Sequence, residues 1–199
     1  MSTNTSTVEQ ANRKSRLPGK PGIWMPITLD IITFLGFWIF VMIMRIQNPT
    51  IFEASRQQLN ANIGLAITLV LLTSSWFVVR ALEAAREGIR AKVQSNLRVA
   101  IVLGFVFIVL KITGWVGDVQ AGNLIDGNAF FGYYFCVTAY HFLHVLAGLV
   151  FLILCYLQAK NAPVDEGYVG WLESAGSFWH VVDMLWVFIF PLFFLLRVV

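Results

Sequence analysis

The chain has three histidines, and each lies in or at the edge of an apolar run. His141 and His144 sit inside the run 130–157, in the string Thr138-Ala-Tyr-His141-Phe-Leu-His144. Their i,i+3 spacing puts them on one helix face, which Gly148 continues a turn further on. Glu173, His180 and Asp183, spaced by seven and then three, form a second stripe, and Asp30 stands six residues into the first apolar run. Imidazoles and carboxylates can pass protons, bind metals or tie helices together. In hydrocarbon such groups are costly, so they face a bundle interior, find a partner and mark functional or assembly sites.

Depth suggests which of them meet. At 1.5 Å per residue Asp30 lies roughly 10 Å inside the membrane, with His180 and Asp183 at a similar level and His144 near the midplane. Asp30, His144, His180 and Asp183 are therefore expected to converge between three helices. Two readings of this cluster stand side by side. One is proton handling; the other is structural, since interhelical polar pairs contribute about 0.6 kcal/mol on average. His141 and His144 share one face and cannot clamp opposite sides of a single haem. A metal needs three or four convergent ligands, and no spacing here is diagnostic of one. No catalytic, cofactor-binding or metal-ligating residue is assigned.

The elements that must position these residues follow from hydropathy. Charged residues are 13% and the apolar share is 58%. Five stretches reach the roughly 20 residues that cross a bilayer: about 24–46, 62–82, 97–116, 130–157 and 176–197. Only helices or closed barrels satisfy their backbone in lipid, and the short alternating strands of a barrel are missing. The sequence thus predicts an all-α integral membrane protein, a five-transmembrane-helix bundle over 24–199, preceded by a polar, disordered tail over 1–23. That tail does not read as a cleavable signal.

The net charge of +3 does not point to nucleic acid. If the chain starts inside, inner segments hold Arg13, Lys14, Arg16, Lys20, Arg80, Arg86, Arg90, Lys92, Arg98 and Lys160, and outer ends hold Arg45, Arg56 and Arg197. Ten against three is the positive-inside pattern, which predicts N-in and C-out. Lys111 is expected to snorkel to the outer interface, Asp118 and Asp126 to be solvated charges of a loop over 117–128, and most tryptophans to face lipid or the interface. Cys136 and Cys155, about 28 Å apart on one helix, cannot bridge and read as small buried residues.

These residues carry a resemblance. Phe135-(x2)-Thr138-(x2)-His141-(x2)-His144-Val145-(x2)-Gly148, followed by Glu173-(x5)-Trp179-His180-(x2)-Asp183-(x2)-Trp186, is similar to the signature of subunit III of the haem-copper oxidases. Trp24-(x5)-Asp30-(x3)-Phe34 resembles the family helix with a buried acidic residue, and Leu59-Asn60 also fits. The likeness covers about 22–197. It implies a five-helix form that lacks the first two of the family's seven helices. It also implies a non-catalytic subunit with no redox centre of its own, supporting proton uptake and the stability of a haem-containing catalytic partner in a respiratory complex. Asp30, His141, His144, Glu173, His180 and Asp183 would build its polar interior. Membrane lipids, including a bound phospholipid, are further expected partners, and the expected setting is a bacterial plasma (inner) membrane.

The short form also resembles the accessory subunit of bacterial nitric oxide reductases. From other classes, a small proton-coupled transporter or channel uses the same cluster as a relay, and a membrane metalloenzyme is the weaker alternative.

Overall fold

The computed structural model describes residues 21–196. The tail over 1–20, with Arg13, Lys14, Arg16 and Lys20, and the terminal Arg197 lie outside the described residues. After a short 3-10 turn at Pro21–Ile23 come α1 (Trp24–Gln47), α2 (Pro49–Arg56), α3 (Ala61–Arg86), α4 (Arg90–Gln120), α5 (Ala129–Asn161) and α6 (Glu166–Phe190). A π-turn, Pro191–Leu195, continues α6. Five helices are long and apolar enough to cross a membrane, with mean hydropathy between 1.9 and 2.4.

Every span predicted from hydropathy is found, but each continues into polar sequence. The largest difference is α6, which starts at Glu166 instead of about 176. There Asp165 accepts a hydrogen bond from the Tyr168 amide at 2.7 Å, which satisfies a donor that the first helical turn leaves free. Asn60 and Asn128 cap α3 and α5 in the same way. α3 stops at Gly88, whose φ of +71° lets the Gly88 and Ile89 amides fold back on the Ala85 and Ala84 carbonyls. The loop predicted over 117–128 is shorter than expected, because α4 runs through Gly117 and Asp118 to Gln120.

Tight connections make the helices alternate in direction. Arg45 and Arg56 donate to the Leu192 and Phe194 carbonyls, and the Asn128 amide donates to Ser55. These bonds gather the ends of α1 and α6, the start of α5 and all of α2 on one face, called the far face here. On the opposite, near face, Arg90 donates to the Ala159 and Lys160 carbonyls at the end of α5. Arg86 pairs there with Glu173.

Helices α3, α4, α5 and α6 enclose the core, and α1 leans on α6 from outside. The buried apolar residues of α1 are Ile27, Phe34 and Val41, seven apart, a single narrow seam. Leu29, Ile32, Leu35, Ile39 and Ile43 on the same helix are exposed. So much apolar surface on one helix is tolerable only in lipid or against another polypeptide.

The tryptophans depart from the belt expectation in part. Trp38, Trp76 and Trp171 are exposed, but Trp179 and Trp186 are among the largest fully buried side chains. Trp179 lies where α5 and α6 cross, and a Cβ on Gly148 would come within 2.8 Å of its ring. That close approach explains a glycine in the middle of α5. Cys155 is buried as expected, whereas Cys136 is exposed.

Candidate functional site

The four groups expected to meet are brought together as two pairs. On the near side, Asp30 of α1 approaches His144 of α5, with Oδ1 and Nε2 3.0 Å apart. Both side chains are largely buried, at 13% and 17% exposed. Phe34 stands edge-on to the His144 ring and Phe178 stacks on it, which keeps the pair in an apolar surround.

The other ring nitrogen of His144 fixes the proton arrangement. His144 Nδ1 lies 2.8 Å from the Tyr140 carbonyl oxygen, which only accepts, so Nδ1 carries a hydrogen. Nε2 then meets Asp30 through one shared proton: a carboxylic acid donates to a neutral imidazole, or an imidazolium donates to a carboxylate. The pair is a one-proton site spanning two helices.

The second pair is His180 and Asp183, one turn apart on α6, with 3.6 Å between Nδ1 and Oδ2. His180 Nδ1 also hydrogen-bonds the Ser75 hydroxyl of α3. Among the described residues no hydrogen bond or ion pair joins this pair to Asp30 and His144. Depth brought all four within possible reach of one another but did not fix the direction each faces around its helix.

Glu173 stands apart at the near face, where its carboxylate pairs with Arg86. His141 is fully buried among the rings of Phe34, Phe107 and Trp186, and neither ring nitrogen has a hydrogen-bond partner. Phe34 of α1 stands edge-on to both histidine rings, but His141 makes no polar contact with Asp30. Among the described residues no three His, Cys, Asp or Glu side chains converge in a way that could hold a metal.

An apolar groove of about 580 Å³ separates α1 from α6 beyond the Asp30 level. Phe34, Trp38, Met184 and Phe188 line it, and His180 is its polar member.

A further polar cluster lies on the far side and overturns two sequence expectations. Lys111 does not snorkel: it is 2% exposed, with Nζ 4.9 Å from the ring centres of Trp115 and Tyr134 and 5.2 Å from that of Trp186. Three ring faces around a cation are a favourable quadrupole environment. Asp118 is not a solvated loop charge either. It is buried on α4, and Oδ2 accepts from the Tyr134 hydroxyl at 3.1 Å. The Trp115 indole donates to Thr138 and the Trp186 indole to Thr68, which fixes two of the three rings. The i,i+7 spacing of Lys111 and Asp118 was the available signal, since it stacks them on one face two turns apart. Trp115 stands one turn further along α4, but Tyr134 and Trp186 come from α5 and α6 and are not marked by any local pattern.

Fold and site together define a multi-pass helical membrane protein whose buried ionisable side chains are partnered mainly across helices. The family described as cytochrome c oxidase subunit III matches residues 22–197, and the chain belongs to that family. Among relatives named cytochrome c oxidase subunit 3, the Anopheles gambiae protein is 31% identical over 128 residues, 64% of this chain and 48% of its own length. The Osphranter robustus protein is 27% identical over 175 residues, 85% of this chain and 66% of its own length. The Spodoptera frugiperda protein is 28% identical over 128 residues, 64% of this chain and 85% of its own length. The chain thus spans about half of the first relative and about two thirds of the second.

Proposed function

We propose that the chain is a non-catalytic subunit of a respiratory haem-copper oxidase complex, flanking a haem-containing catalytic subunit and supporting its proton uptake and its stability in turnover. The observation that carries this reading is the one-proton pair Asp30–His144, found within a family match that runs from 22 to 197. In this reading the pair sits where α1 borders the apolar groove and holds a proton close to the partner's intake. The exposed side of α1 is the surface offered to neighbours, and the groove accommodates an acyl chain of a bound phospholipid. The ten-to-three basic asymmetry supports an N-in, C-out orientation, with the near face inside. A bacterial plasma membrane as the setting is part of the same proposal.

The names of the matched relatives favour an oxidase over a nitric oxide reductase, and none of them names a transporter or channel. The test is purification of the chain with its native partners, followed by the haem spectrum and terminal acceptor of the preparation. A haem-bearing complex that reduces oxygen is expected. A chain that purifies without haem protein and moves protons alone in liposomes refutes the reading. In the complex, Asp30→Asn should leave assembly intact while slowing proton uptake or shortening the working lifetime. If both are unchanged, the pair has no role in proton support.

A further inference from the structure

The Lys111–Asp118 cluster is outside the proton-support reading and has its own geometry. The two side chains border a cavity of about 20 Å³ with Tyr134, Gly114 and Asn60. Asn60 is exposed at the far-face end of α3, so the cavity lies just beneath that surface. Among the described residues the Lys111 ammonium has three ring faces around it and no hydrogen-bond acceptor. An ammonium has three N–H donors, and buried donors in folded proteins are almost always satisfied. The ring faces supply attraction but no lone pair in the plane of a normal hydrogen bond.

We infer that this cavity is a water-binding site, and that Lys111 and Asp118 form an ion pair bridged by an internal water reached from the far face. The volume exceeds the roughly 10–15 Å³ that one water needs, and a water requires two to four polar partners. Lys111 Nζ donates to it, and Asp118 with the Tyr134 or Asn60 oxygen accepts from it. Charge selects the ligand. An anion is repelled by the Asp118 carboxylate and a cation by Lys111. A small neutral dipole that accepts from one and donates to the other satisfies both. The Asp118–Tyr134 hydrogen bond leaves Asp118 Oδ1 free for this role.

Synchrotron hydroxyl-radical footprinting in ¹⁸O water tests the inference on the full chain, extracted from its own membrane with everything that co-purifies. Radicals made from a bound water oxidise the ring beside it even when that ring is buried. Tyr134 is 2% exposed and borders the cavity; Tyr168 is 1% exposed, does not border it, and is the internal control. Tyr134 should take up label several-fold faster than Tyr168. Gly114→Ala places a methyl in the cavity wall, where it would meet only Ile63 Cγ2 at 3.5 Å, an ordinary contact. That variant should lower Tyr134 labelling to the level of Tyr168, with the Tyr168 rate unchanged. Lys111→Met, which removes the donor and keeps most of the unbranched side chain, should lower it as well. Equal labelling of Tyr134 and Tyr168 in the unmodified chain overturns the inference. So does undiminished labelling of Tyr134 in both variants.

Discussion

The Asp30–His144 pair can be measured as a tether by a double-mutant cycle of Asp30→Leu, His144→Leu and the double variant. α1 touches the bundle along one apolar seam, Ile27, Phe34 and Val41, and this pair is its polar link to α5. Interhelical hydrogen bonds in membranes average about 0.6 kcal/mol and reach about 1.7 kcal/mol, which corresponds to roughly 3- to 18-fold in the docking equilibrium of α1. The 3.0 Å separation and the shared proton place this pair toward the upper part of that range. Steric trapping in bicelles, with one biotin tag on α1 and one on α5, reads the coupling energy directly. Asp30→Asn should behave differently from Asp30→Leu. Its amide can donate to the neutral His144 Nε2, so it should stay within a few tenths of a kcal/mol of the unmodified chain. If the two leucine substitutions add within about 0.3–0.5 kcal/mol, the side chains are not coupled and the geometry argument fails.

Three further outcomes follow from single contacts. Gly148→Ala puts a methyl against the buried Trp179 ring at 2.8 Å and should cost about 1–3 kcal/mol in the same unfolding assay. Gly104→Ala, whose tightest contact is the mobile end of Leu149, should cost clearly less, and equal costs would refute the distinction. Arg45→Met removes a buried donor from the Leu192 carbonyl at the far end of α6 and should cost about 1.5–3 kcal/mol, read from thermal melting. Arg86→Ala, at a pair where the arginine is largely exposed, should cost under about 1 kcal/mol by the same measure. For orientation, cysteines placed at Ser2 and Val199 in a background with Cys136 and Cys155 replaced by alanine should react with an impermeant thiol label from opposite sides. Labelling of both from one side refutes the N-in, C-out arrangement.

The apolar spans were legible because twenty residues of hydrocarbon leave little room for another element, and all five are present. Their ends were not, since capping by Asp165 starts α6 ten residues early, in polar sequence where hydropathy has no signal, and α5 likewise runs on to Asn161. Helix α2 was missed for the same reason, being short and polar and opened by Pro49 at its first position. In the site, depth alone brought Asp30 to the level of His144, and the two do meet. It could not show that His180 turns toward Ser75, because rise along a helix says nothing about azimuth. Lys111 was misread because position near a span's end normally predicts snorkelling. Tyr134 and Trp186, from two other helices, close over it instead, and that is a tertiary event.

The sequence separation of the Asp30–His144 pair has a consequence for synthesis. The two residues are 114 positions apart, so at about 5–20 residues per second Asp30 leaves the ribosome roughly 6 to 23 s before His144. For that interval α1 has neither its partner on α5 nor the α6 surface it leans on. Its carboxyl has to remain near water, or be held by the insertion machinery, until α5 arrives. The first of these helices to be made is therefore among the last to dock, added from outside to a core the others already enclose.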